Sequence, residues 1–305
     1  MEELQNEKTS FIFPGQGSQF VGMGKELYEK YDEAKKIYDK ASEILNVDLK
    51  ELCFNSTDEI LSQTKNTQIA LFVTEMAMLE VLKSKGVAAR YTAGLSLGEY
   101  SSLCYSGVID FEACLKLVQK RGIYMNDYIE KGNYSMAAVI GLDGDKIEEV
   151  CSKEEDFVVP VNYNCAGQIV ISGNEDAVER VTPKLLEMGA RKIIKLNLKS
   201  AFHTKKLNKA KELLKQDLEN IEFKEFSNNV IVYKNIDGTR YNLNDDIRNI
   251  LADHIVSAVH FDKEIQNMIN DGVTTFIEVG PGKTLSGFVK KTNKEVDIKH
   301  VEELI

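Results

Sequence analysis

The chain has 305 residues, 43% hydrophobic and 28% charged, which is apolar mass enough for one large domain and a smaller one that fold without a partner. A net charge of −10 argues against a nucleic-acid ligand, and the longest apolar stretches, such as 69–79 (IALFVTEMAML), are charge-interrupted and well short of the roughly 18 residues of a membrane span. The polar, acidic opening MEELQNEKTS has no secretory pattern, and five cysteines (53, 104, 114, 151, 165) without a CxxC pair predict neither a disulfide framework nor a metal site, so the expectation is a cytoplasmic protein with reduced thiols.

Residues 9–13 (TSFIF) form a β-rich run that stops at Pro14-Gly15, which predicts a buried strand followed by a loop. From 25 to 45, Leu27, Ala34, Ile37, Ala41 and Leu45 recur at helical spacing among charges and predict one amphipathic helix. The stretch 67–83 is more apolar than one helix face requires and is closed by Gly86, which predicts a central buried helix. Residues 91–105 pass from a short β-leaning run through a glycine-flanked serine into helix, and helical periodicity continues over 111–130.

Four strands are predicted at 134–141, 157–163, 168–173 and 191–198, with helices at 143–154 and 174–189 between them. The order βαββαβ is that of a ferredoxin-like unit, expected as an inserted lobe over 131–199. The remainder, 1–130 and 200–305, then forms one discontinuous large domain, with a helix at 204–219, strand-like runs at 229–233 and 275–279, and a helix from Lys283.

Gly94-Leu95-Ser96-Leu97-Gly98 has the G-x-S-x-G form of a nucleophile elbow, a strand-to-helix turn that holds its serine exposed. The pentapeptide alone also describes an ordinary Gly-Ser turn at a helix start. A serine needs a base to attack at neutral pH, and only His203, His254, His260 and His300 exist. His300 lies in a charged tail and His254 in a helix-like stretch, whereas His203 follows an apolar pair after the last strand of the lobe and is the candidate. Pro14-Gly15-Gln16-Gly17-Ser18-Gln19 by itself reads as a plain turn or weak phosphate loop, without the Lys-Ser/Thr of a nucleotide-binding loop.

Four segments taken together, Phe13 to Gln19, Gly94 to Tyr100, Ala201-Phe202-His203 and Glu278 to Gly282, resemble malonyl-CoA:acyl carrier protein transacylases of fatty acid synthesis, in order and spacing over nearly the whole chain. The resemblance implies an α/β fold: an α/β-hydrolase-like large domain with a short parallel sheet, plus the ferredoxin-like lobe. It implies a ping-pong cycle in which Ser96 takes the malonyl group from coenzyme A and His203 serves as base and then acid. The backbone N–H groups of Gln16 and Leu97 are implied as the oxyanion hole, and Arg121, with Met125, as the malonyl-selecting group. Phe202 belongs to a malonyl-type pattern before the histidine. Asn164 and Gln168 match a cleft-lining segment, with Ala166 where proline is common.

The implied acceptor for the histidine is a backbone carbonyl near Ala258-Val259-His260-Phe261, a stretch where Ala258 and His260 depart from the family pattern, and His260 is a further substrate-side candidate. Leu95 replaces the usual histidine before the nucleophile. The implied partners are malonyl-CoA and acyl carrier protein, with no resident cofactor, coenzyme A entering as part of the substrate, and a monomer is expected. Lys199, Lys205, Lys206, Lys283 and Lys290 are the expected docking patch for the acidic carrier protein, against the plainer reading of a solvated lysine face. The rival readings are a serine hydrolase or thioesterase of the α/β-hydrolase type, which needs an acid on its histidine, an acyltransferase of a polyketide pathway, and a non-catalytic carrier-binding subunit.

Overall fold

The computed structural model describes residues 7–226 and 229–305. The opening six residues, part of the predicted signal-free N-terminus and of the first large-domain segment, lie outside the described residues. Two sheets organise the chain, one parallel and one antiparallel.

The first sheet has five parallel strands in the order β7-β2-β1-β8-β9: β1 Thr9–Phe13, β2 Tyr91–Gly94, β7 Ile231–Val232, β8 Thr275–Glu278 and β9 Asp297–His300. Strand β1 is buried on both faces, as a central parallel strand covered by helices must be. Phe11 and Phe13 point into one apolar cluster and Ile12 into the other. The first cluster is built on α1 Lys25–Lys30, α2 Asp32–Leu45, α3 Asp58–Leu61, α4 Thr64–Ser84, α5 Gly98–Tyr105 and α6 Phe111–Asp127. Helix α4 is buried along nearly its whole length, as its composition requires.

The second sheet has four antiparallel strands, β3 Tyr134–Ile140, β4 Val158–Cys165, β5 Gln168–Asn174 and β6 Lys192–Lys195, in the order β4-β5-β3-β6. Helices α7 Gly144–Ser152 and α8 Glu175–Glu187 cover one face with a core of Val139, Ile147, Ile171 and Val181. Its other face puts Met136, Ala138 and Val170 toward the first domain's cluster. The chain then returns through a short turn at Lys205–Leu207 to α9 Asn208–Glu219, α10 Ile247–His254, α11 Phe261–Asn270 and α12 Thr284–Thr292.

Two expectations change. The single helix over 25–45 is two helices, because Tyr31 takes an extended conformation (φ −121°, ψ 125°) that closes α1 and lets Asp32 and Glu33 occupy the first turn of α2, where the positive end of the helix dipole favours acids. His300, expected in a charged tail, belongs to a strand. It ends β9, pairs into the parallel sheet beside Glu278, and is buried with its Nε2 against the Gly280 carbonyl at 3.0 Å.

Candidate active site

In a parallel sheet the loops beyond the carboxyl ends of the strands share one crevice. Here that crevice collects the loop after β1 (Pro14 to Gln19), the elbow after β2 and the start of α12 beyond β8. The antiparallel lobe closes the opposite wall. The result is a cleft of about 380 Å³ lined by Gln16, Ser96, Leu97, Arg121, Asn164 and His203, among others.

Ser96 sits at φ 55°, a left-handed conformation that costs a side-chain-bearing residue energy and is held only where the surroundings enforce it. The enforcing contacts are close. A Cβ on Gly98 would fall 2.1 Å from the Phe13 carbonyl oxygen, so the helix after the serine can lie against β1 only if this residue is glycine. On the other side, the Ser96 N–H donates to Asn235 Oδ1 at 2.7 Å, and the Asn235 amide donates to the Gly94 carbonyl at 2.6 Å and to Glu264 Oε1 at 2.7 Å. Asn235 is fully buried and clamps both ends of the turn.

His203 is also left-handed, at φ 58°, and its Nε2 lies 2.8 Å from Ser96 Oγ. Its Nδ1 lies 3.0 Å from the His254 carbonyl oxygen at the end of α10. With Nδ1 carrying the proton toward that carbonyl, Nε2 is left free to accept the serine proton. Burial, reinforced by the nearby Arg121 cation, lowers the His203 pKa to about 4, so the imidazole is neutral and ready as a base at pH 7.

The acceptor thus lies just before Ala258–Phe261, near that stretch as expected and not within it. That stretch is engaged elsewhere: the Val259 carbonyl accepts from Tyr163 N–H and Val259 N–H donates to the Val161 carbonyl, both at 2.8 Å, which ties the large domain to β4 of the lobe. His260 is likewise outside the cleft. Its ring stacks on Tyr163 at 4.7 Å and its N–H donates to the Asn235 carbonyl, so it belongs to the same seam and not to a substrate surface.

Arg121, on α6, is 1% exposed and reaches the serine: one terminal nitrogen donates to Ser96 Oγ at 3.0 Å and the other to Gln68 Oε1 at 2.7 Å. The guanidinium carbon lies 5.2 Å from the centre of the Tyr100 ring, a favourable stacking on an aromatic face. Both hydrogen-bonded partners are neutral, and Nε has none. A buried guanidinium without a bonded carboxylate carries an uncompensated desolvation penalty, which an anion in the cleft would relieve.

Of the remaining sequence candidates, Met125 and Phe202 are buried in the wall. Asn164 is 6% exposed with its Oδ1 unpartnered, and Gln168 accepts from Lys291 at 2.8 Å across the cleft rim. Gln16 and Leu97 line the same cleft as the serine. The Gln16 loop is pressed so close that a Cβ on Gly15 would meet the Leu95 carbonyl oxygen at 2.4 Å.

Sequence reasoning did not find Gln68, Asn235 or the His254 carbonyl. Asn235 has a usable signal, since it follows β7 at the carboxyl edge where ligands and catalytic groups gather, but reading it requires knowing that β7 neighbours β2.

The acyl transferase domain family matches residues 10–305 of the chain. A malonyl CoA-acyl carrier protein transacylase of Bacillus subtilis (strain 168) is 42% identical over 292 residues, 95% of this chain and 92% of that protein. The chain belongs to this transacylase family. The solved transacylase of Clostridium perfringens superposes with a TM-score of 0.92 at 42% identity, covering 97% of this chain and 93% of that one. A malonyl-transacylase solved in complex with a holo type II PKS acyl-carrier protein matches with a TM-score of 0.90 at 32% identity, covering 96% and 95%. The transacylase family's α/β architecture, with one parallel and one antiparallel sheet, is the one described above.

Proposed function

We propose that the chain transfers a malonyl group from coenzyme A to the thiol of acyl carrier protein through a malonyl ester on Ser96. The observation that carries this reading is the convergence on one hydroxyl: Ser96 Oγ is 2.8 Å from the His203 base and 3.0 Å from a buried arginine whose bonded partners are neutral. His203 Nε2 takes the serine proton as Oγ attacks the thioester carbonyl, and returns it to the coenzyme A sulfur as the tetrahedral intermediate collapses. The carrier-protein thiol then runs the same steps in reverse. Backbone N–H groups of Gln16 and Leu97 hold the oxyanion, and Arg121 receives the malonyl carboxylate bidentately in place of its present contact with Ser96. Met125, Phe202, Asn164 and Gln168 line the acyl and pantetheine path.

The large domain, 1–130 with 200–305, is of the α/β-hydrolase type, supported by the elbow at the edge of its parallel sheet. The lobe, 131–199, is ferredoxin-like, supported by its βαββαβ order and the strand order β6-β3-β5-β4. No cofactor enters the chemistry. The enzyme works as a monomer, since every group named comes from one chain, and in the cytoplasm, where its five unpaired cysteines stay reduced. Among the described residues no helix is long and apolar enough to cross a membrane. Its extender units serve fatty acid synthesis, with a polyketide pathway as the alternative.

A triad hydrolase would hold its histidine with a carboxylate, whereas the His203 partner is the His254 carbonyl. The deciding experiment follows radiolabelled malonyl-CoA with holo carrier protein present. Label on the carrier thiol supports transfer, and release as free malonate at the same rate with or without carrier overturns it.

A further inference from the structure

On the side of His203 away from Ser96, three buried polar side chains have no part in the steps above: Glu99, Tyr241 and His254. Glu99 stands three residues past the nucleophile in the first turn of α5, and His254 closes α10. The Tyr241 hydroxyl donates to Glu99 Oε1 at 2.6 Å. The other carboxylate oxygen lies 3.0 Å from His254 Nδ1, in contact but off the line of a good hydrogen bond. The His254 ring is stacked on the His203 ring, centres 5.2 Å apart and planes at 27°, while its carbonyl faces His203 Nδ1.

A backbone carbonyl needs no particular side chain, and an apolar residue would fill this space without the cost of burying an imidazole and a carboxylate together. Both are fully buried, so the pair reaches no solvent and no ligand. What it does reach is the base. When Ser96 loses its proton, an imidazolium forms at His203 with no carboxylate bonded to it and with the Arg121 cation on its cleft side. Glu99 is the acid in contact with the ring behind it, its pKa raised by burial to about 7, and Arg121 of α6, Asp237 of the loop after β7 and Glu264 of α11 are the other titratable groups that act on it.

We propose that Glu99 and His254 are positioning residues for the base: Glu99 anchors the His254 imidazole, and the anchored residue holds His203 by carbonyl and by ring face. Nε2 is thereby kept on Ser96 Oγ, and an acid stands one ring behind the imidazolium, where a triad enzyme has it directly bonded. The inference rests on the acyl-transfer reading.

The test compares full-length wild type with H254A, H254Q and E99Q in single-turnover malonylation of Ser96, alongside proton NMR of the downfield His203 Nδ1–H. H254A should slow acylation at saturating malonyl-CoA by about 10–100-fold with half-saturation changed less than about 2-fold, since positioning acts on the chemical step and not on substrate binding. H254Q keeps an amide donor for Glu99 and should recover most of the rate, and E99Q should lose roughly 5–20-fold. The downfield proton should persist in wild type and H254Q and broaden or vanish in H254A.

H254A at the wild-type rate overturns the proposal, as does H254Q no better than H254A together with an unaffected E99Q. If H254A does not fold, the near-isosteric E99Q decides, and a wild-type rate there overturns it. Absence of any Ser96 adduct in the wild type would fail the acyl-transfer reading instead, while the NMR signal still reports whether His254 holds His203.

Discussion

The two sides of His203 are built in opposite ways. The cleft side is made of short local segments: the elbow around Ser96, the Gln16 loop and the single arginine of α6, each a few residues long and each at the end of a strand or on one helix. The far side is a buried polar lattice, Glu99 with Tyr241 and His254, and Asn235 with Glu264, whose touching pairs are 29 to 155 positions apart. The cleft side carries the groups that touch substrate. The far side carries none of them, and holds the left-handed turns at Ser96 and His203 in place. Chemistry on this chain is local, and the geometry that makes it work is not.

Breaking the cleft side should give the largest effect. Arg121→Ala should reduce the rate of malonyl loading by about 100-fold while leaving acetyl loading within about 10-fold, because two charge-assisted hydrogen bonds are lost only for the substrate that carries a free carboxylate. Parallel kcat/KM measurements on the two thioesters check this. A uniform loss for both would mean that Arg121 serves the turn and not the substrate.

On the far side, Asn235→Ala orphans the Ser96 N–H, the Gly94 carbonyl and a Glu264 carboxyl whose pKa burial already holds well above the usual range. The expected cost is about 1–3 kcal/mol of stability and roughly a tenfold loss in kcat, with KM for malonyl-CoA near wild type. Thermal unfolding and steady-state kinetics read the two. If kcat is unchanged while stability falls, the clamp holds the fold and not the nucleophile.

His203 ionises at about 4 in the free enzyme because burial and the Arg121 cation both oppose its protonation. Acylation kcat/KM should therefore stay level from pH 8 down to about 5 and fall only below that. A bound malonyl carboxylate offsets the Arg121 charge, so the acid limb of kcat should lie at higher pH than that of kcat/KM. A kcat/KM limb near the ordinary histidine value would contradict the environment described for the base.

The smallest expected effect is at the surface. Lys283 and Lys290 border a groove with Lys294 and Lys299 of about 390 Å³, although Lys283 already pairs with Glu303 at 3.3 Å, as Lys206 does with Glu130 at 2.8 Å. Lys290→Glu should raise the carrier-protein KM by about 3–5-fold and leave malonyl-CoA untouched, a size set by solvent screening of single exposed charges. Equal effects on both substrates, or none, would remove this face from carrier docking.

How much was legible follows the same division. Strand β1, the buried helix α4, the elbow and the four strands of the lobe were readable because each is fixed by residues adjacent in sequence, through apolar period or glycine-serine turn chemistry. Ser96 and His203 could be paired in advance because only four histidines compete. The acceptor carbonyl could be placed only as near the Val259 stretch and not at His254 itself, because a carbonyl leaves no side-chain signal. His300 was read from its charged neighbours, whereas its burial comes from its place at the end of β9, beside Glu278 and against the Gly280 carbonyl. The break at Tyr31 left no proline or glycine to mark it.

The central claim is a malonyl ester on Ser96, and intact mass after mixing the protein with malonyl-CoA tests it most directly, with acetyl-CoA and Ser96→Ala as the comparisons. The account predicts a single malonyl adduct on the wild type, much less adduct from acetyl-CoA, none on Ser96→Ala, and loss of the adduct when holo carrier protein is added. An adduct that survives Ser96→Ala, or a wild type that turns over malonyl-CoA without ever carrying the acyl group, would contradict it.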